Sequence, residues 1–243
     1  MDKQIEKYST LKLLVLHLVP GVMITFMYAI LVPYVLSEGF PNDFAMSITD
    51  IMGVMLLEIG YLLYITKKET RTYNIKTQLF YLEKTRVKEY FIFLLIVSVW
   101  ALDISMLLGP IEELIKNSFF SFVPTEYIMG SYHVYDFSKD KVMMTAVIGI
   151  IANGIIAPIS EELYFRGYLL PHIQLTDFKS ALLSSVLFSA YHFYSPWYFF
   201  SRVLMMIPLY YWVIKRRNIR FSIFAHLIAN MITSTVFLTH VLH

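Results

Sequence analysis

The sequence of 243 residues contains no cysteine. That excludes disulfides, thiolate metal ligands and a cysteine nucleophile. Charge is also scarce. Asp, Glu, Lys and Arg make up 16% of the chain, whereas 57% is hydrophobic; soluble domains carry about 25% charged residues. The balance implies an all-α, polytopic membrane protein, a helical bundle of about seven or eight helices forming a single domain over residues 1–243. There is no internal repeat, no Gly-rich phosphate loop and no nucleic-acid motif. The basic clusters flank apolar runs, so the expected partner is the lipid bilayer and not a nucleic acid. No signal-peptide cleavage site is apparent, and the first apolar run is long enough to remain as a span. Composition leaves the oligomeric state open.

The apolar runs are 13–36, with Pro20 and Pro33 as expected kinks, then 44–65, 91–108, 142–159, 181–194, 197–214 and 221–242. Gly109-Pro110 is expected to end the third. Residues 67–90 carry seven Lys/Arg and three Glu. The positive-inside rule puts this segment, and with it the N-terminus, in the cytoplasm; the membrane would be the plasma membrane in a prokaryote. The second basic cluster, 215–220, should lie on the same side. Between the two clusters five apolar segments are counted, the four runs there and the segment of about 160–173, an odd number. One of them must then fail to cross, or two must form one kinked helix.

The stretch around which the rest is organised is Pro158-Ile-Ser-Glu-Glu-Leu-Tyr-Phe-Arg166-Gly. It follows eighteen uncharged residues, 142–159. A charge at that depth costs ~2.5–3.5 kcal/mol on insertion scales. Pro158 is expected to interrupt the preceding helix and Ser160 to cap a new one, about 160–173, with Glu161 and Glu162 in its first turn. Glu162 and Arg166 are four apart in the favourable order for an ion pair. Glu161 lies roughly 100° round the helix, free for chemistry. The alternative for this stretch is an ion pair that only fixes helix packing. A second acidic pair, Glu112-Glu113, has no arginine at the matching distance and reads as a solvated helix face.

Two further polar groups interrupt the C-terminal apolar runs. One is His192 in Phe188-Ser-Ala-Tyr-His192. The other is His226 with Asn230, four apart and on one helix face. Taken singly, each histidine reads as a packing residue, as do His17, His133, His172, His240 and His243. Taken together, a carboxylate, two imidazoles and a carboxamide can activate water. The Glu acts as general base, and His and Asn donate to a developing oxyanion. Two His and a carboxylate are also a zinc ligand combination.

Glu161-Glu162-x-x-x-Arg166, then Phe188-x-x-x-His192, then His226-x-x-x-Asn230 resembles the CPBP or Abi family of intramembrane proteases, the CAAX prenyl endopeptidases and bacteriocin-processing or immunity proteins. The resemblance covers residues 158–230, within a family-like catalytic core of about 142–240. It implies a helical fold enclosing an intramembrane cavity, and cleavage of a prenylated CAAX-type protein or a bacterial peptide or leader. Carried over by motif, Glu161 activates water and His192 positions that water or the substrate. His226 and Asn230 form the oxyanion site, and Glu162 and Arg166 orient the Glu161 helix. A metal-independent mechanism without cofactor is the favoured reading. Zinc held by Glu161, His192 and His226 is the alternative. Two rival classes stand beside the peptidase. One is a non-catalytic immunity or peptide-binding protein of the same fold. The other is a transporter with a proton path through Asp50, Glu58, Asp103 and Glu161.

Overall fold

The computed structural model describes residues 5–130 and 136–242, with side chains as far as residue 235. His133, His240 and His243 therefore lie outside the side chains described. Among the described residues there are seven helices and no strand: α1 (Thr10–Ser37), α2 (Asn42–Thr70), α3 (Val87–Phe119), α4 (Lys139–His172), α5 (Asp177–Tyr191), α6 (Pro196–Arg216) and α7 (Arg220–Leu242). Five of them, α1, α2, α3, α4 and α6, are long and apolar enough to cross a membrane. The chain is an integral membrane protein. The 15 residues of α5 reach only ~22 Å, short of a ~30 Å hydrocarbon core.

Two expectations about helix ends are corrected. Gly109-Pro110 does not end α3, which continues to Phe119. Nor does Pro158 end a helix. The run 142–159 and the Glu-Glu segment form one helix, α4, widened into π-type turns at Ala152–Ile156 and Glu162–Leu169. A π turn moves the hydrogen bonds back to the i−5 carbonyl, which makes room for a proline ring that a tight turn would exclude. In an apolar surrounding, every backbone group left unpaired is costly, so continuing the helix wins over breaking it. Ser160 is accordingly no cap; its hydroxyl lies 3.6 Å from Met55 Sδ. Glu161 and Glu162 sit in mid-helix, away from the positive end of a helix dipole.

Continuity of α4 removes the odd count. Four helices now lie between the basic segments, and those segments meet at one rim. There Lys215 pairs with Asp177 at 2.6 Å and Arg216 with Glu89 at 2.7 Å. The Tyr81 carbonyl accepts from Ile219 N–H, the Arg217 carbonyl from Glu83 N–H and the His172 carbonyl from Tyr8 N–H. At the opposite rim, Asn42 donates to the Glu126 and Ile128 carbonyls, and Lys141 to the Glu38 carbonyl.

The prolines tie helices together through the carbonyls they leave free. Pro20 has no N–H for the Leu16 carbonyl, which accepts instead from Tyr164 Oη–H of α4 at 2.8 Å. Pro208 leaves the Leu204 carbonyl to Trp100 Nε1–H of α3 at 3.0 Å. Each such bond is worth about 1 kcal/mol net. Gly21 lets α1 press on the end of α5, since a Cβ there would sit 2.0 Å from the Tyr191 carbonyl oxygen. That contact sets the position of the turn holding His192.

Candidate active site

The site is built where α4, α5, α6 and α7 meet. On α4, Glu162 and Arg166 are both fully buried, and Glu161 is 5% exposed. Arg166 Nε lies 3.3 Å from Glu162 Oε2. Its guanidinium lies against the faces of Phe188 and Tyr210, 3.8 and 4.0 Å from their centroids, the two rings standing 77° to one another. None of its nitrogens has a well-aligned hydrogen bond among the described residues. Aromatic faces therefore take over much of the work of holding this cation.

Glu162 also does something that spacing along one helix could not reveal. Its Oε1 accepts from Nδ1–H of His226 on α7 at 2.9 Å. This fixes the ring and directs Nε2 at Glu161, 3.9 Å from Oε2. A carboxylate on one imidazole nitrogen that orients the other is the arrangement of a working histidine. At 3.9 Å, Glu161 is close but not hydrogen-bonded to the ring, so it can still accept a proton from elsewhere.

His192 caps the C-terminal end of α5. Its Nδ1–H donates to the Phe188 carbonyl at 2.8 Å, which leaves Nε2 as the acceptor of a neutral ring. Phe188 links the motifs: its ring stands edge-on to His192 at 4.7 Å and to His226 at 6.3 Å, with Arg166 over its face. Asn230 donates Nδ2–H to the Asn153 carbonyl, 2.8 Å away in the first π-type turn of α4. One amide hydrogen of Asn230 is thus structural, and the second remains for a ligand.

The structure therefore gathers Glu161, Glu162, Arg166 and His226 by direct contact. It brings His192 to the same aromatic hub and ties Asn230 to the helix that carries Glu161. Among the described residues, no three His, Asp or Glu side chains are close enough together to hold a metal ion. The set Glu161, His192 and His226 does not fit zinc as placed.

Three residues near the site had a weaker sequence signal or none that was used. Asp50 and Glu58 face inward from the π-type turn of α2 and are buried. Glu58 Oε1 accepts from Tyr191 Oη–H at 2.8 Å. Asp103 is exposed on α3, so the proposed proton-path set is only partly gathered. Arg202, in the first turns of α6, reaches the turn after α5. Its Nη2–H donates to Ser195 Oγ at 2.9 Å and its Nη1–H to the Ser189 carbonyl at 3.4 Å. Glu161 and Glu112 are acids whose fields reach it. A charge inside the run 197–214 is the same signal that singled out Glu161. Glu112 is buried, at 9% exposure, which corrects its reading as solvated: α3 continues past Pro110 and turns it inward. Glu113 remains outside, paired with Lys116 at 2.6 Å.

Residues 143–232, which hold all three motifs, match the family model described as type II CAAX prenyl endopeptidase Rce1-like. The match agrees with the resemblance to the CPBP/Abi family, a family of CAAX-type intramembrane proteases. No curated protein and no solved structure gives a significant match.

Proposed function

We propose, from the match of residues 143–232 to CAAX prenyl endopeptidases, that the chain is an intramembrane endopeptidase. Its substrate is a prenylated or otherwise membrane-held peptide, cleaved by water that Glu161 activates. The observation that carries the reading is the Glu162–His226–Glu161 arrangement. Glu162 has two partners and no freedom, whereas Glu161 faces His226 Nε2 without a bond to it.

In this reading, water is held between Glu161 and the His192 Nε2 acceptor and attacks the scissile carbonyl. Glu161 takes the proton as the C–O bond forms. The oxyanion is held by Asn230, through its free amide hydrogen, and by His226. Collapse of the tetrahedral intermediate breaks the C–N bond, and the proton held by Glu161 passes to the leaving amine. Water is consumed, giving one carboxylic acid and one amine. Glu162 and Arg166 touch no reacting atom; they position the helix and the His226 ring. By the positive-inside rule, the rim formed by the basic segments 67–90 and 215–220 is cytoplasmic.

The test is cleavage of a farnesylated CAAX peptide and a bacterial leader peptide by the purified protein in liposomes, with and without a chelator. Glu161→Gln should lower turnover by about 10²–10⁴-fold at unchanged thermal stability, and the chelator should have no effect. Loss with chelator and recovery with zinc would sink the metal-free mechanism. Full biological activity in the Glu161→Gln variant would leave a peptide-binding protein in place of a peptidase.

A further inference from the structure

Arg202 is a cation without a counterion, beside the groups assigned to catalysis. Among the described residues no carboxylate lies within ion-pair distance of it. Its two hydrogen bonds go to neutral acceptors, Ser195 Oγ and the Ser189 carbonyl. These bonds brace the guanidinium at the turn that holds His192 and leave most of its five N–H groups uncommitted. Its charge acts on both Glu161 and His192. The side chain is partly buried, so holding it there uncompensated is costly. An anion that arrives with the substrate removes that cost, and a planar carboxylate fits the guanidinium fork with two parallel hydrogen bonds.

We propose that Arg202 is the specificity residue that binds the free C-terminal carboxylate of the substrate. The inference rests on the peptidase reading and narrows it. A peptide whose terminus is held at Arg202 presents a bond a few residues upstream to Glu161. The substrates are then chains cut close to a free C-terminus, and leader peptides cut in mid-chain are excluded. Arg202 touches substrate away from the bond that breaks, so it acts on selection and not on the proton transfers.

The experiment uses a dye-labelled farnesylated peptide in two forms, one ending in a free carboxylate and one in a carboxamide, with the full-length protein in a neutral detergent. Binding is read on the Glu161→Gln variant, so that neither form is consumed. The acid should bind about tenfold or more tighter than the amide, the size of one charge-assisted hydrogen bond. Adding Arg202→Gln should bring the ratio near one, and Arg202→Lys should restore part of it. In protein with Glu161 intact, Arg202→Gln should bring the acid-to-amide ratio of cleavage rates near one as well, and its thermal unfolding and helix content show that the variant is folded. Equal binding of acid and amide, a ratio unchanged by Arg202→Gln, or no binding of either peptide would each overturn the proposal. Preferential binding of the acid without any cleavage would keep the carboxylate site and defeat the peptidase reading, so the two failures are distinguishable.

Discussion

The two arginines near the site are held in opposite ways. Arg166 has a carboxylate 3.3 Å away, two aromatic rings within 4.0 Å and no exposure at all. Arg202 has a hydroxyl and a carbonyl, among the described residues no carboxylate, and partial access. The first has its charge balanced within the protein by Glu162, though none of its nitrogens is well hydrogen-bonded, and so serves the fold. The second is not so balanced, and its charge is available to something else. In a medium where each charge costs several kcal/mol, the state of pairing separates a structural charge from a functional one. The two glutamates divide in the same manner. Glu162 is committed to Arg166 and His226, while Glu161 has no hydrogen bond within the described protein.

The largest test of the contrast is Arg166→Met. It strips a buried carboxylate of its cation and both rings of theirs. Breaking one partner of a buried pair costs about 3–5 kcal/mol, so the variant should unfold at much lower temperature or fail to accumulate in the membrane. Combining it with Glu162→Gln should recover part of the loss, read as the difference between the double and single variants in thermal unfolding. An Arg166→Met protein with unchanged melting would remove the distinction between the two arginines.

Glu162→Gln comes next. The amide can still accept from His226 Nδ1–H, yet it no longer carries the charge that holds the ring and Arg166. Turnover should fall about 10²–10³-fold, with substrate binding little changed, because the imidazole loses its fixed orientation. A loss seen only in KM would place Glu162 at the substrate and not behind His226. A smaller effect is expected from Gly21→Ala. Its methyl would collide with the Tyr191 carbonyl oxygen, and overpacking of this kind costs about 1–3 kcal/mol. Because Tyr191 precedes His192, turnover should fall together with stability. Stability lost at full turnover would uncouple α1 from the His192 turn.

Much of this was legible in the sequence. Glu161, Glu162, Arg166, His192, His226 and Asn230 stood out as polar groups at helical spacing inside apolar runs, and all six lie on the helices that meet at the site. The i, i+4 relation of Glu162 and Arg166 was readable because it is local. The His226–Glu162 bond was not, since it joins residues 64 apart and depends on how α7 crosses α4. Helix ends were misjudged at Pro110 and Pro158 for one reason. Proline's local penalty competes with the larger cost of exposing backbone in an apolar surrounding, and beside Pro158 a π-type turn lowers that penalty further. Arg202 carried a usable signal, a lone charge in the run 197–214, but had no partner at helical spacing to draw attention to it. The missing partner is the feature that the structure turns into an argument.

The smallest stability effect, and the sharpest form of the contrast, belongs to Arg202→Gln. Two hydrogen bonds to neutral acceptors are at stake, each worth about 1 kcal/mol net. Against them stands relief from the cost of holding an unpaired cation away from water. The glutamine amide can also donate to Ser195 Oγ in place of Nη2. The opposing contributions leave a net change within about 1 kcal/mol, a shift of a few degrees or less in thermal unfolding. Arg166→Met should therefore lower the unfolding temperature sharply, whereas Arg202→Gln should leave the fold and abolish only the preference for a free carboxylate. Thermal unfolding of the two variants side by side reads this directly. Equal destabilisation by both would mean that Arg202, too, is a member of the scaffold.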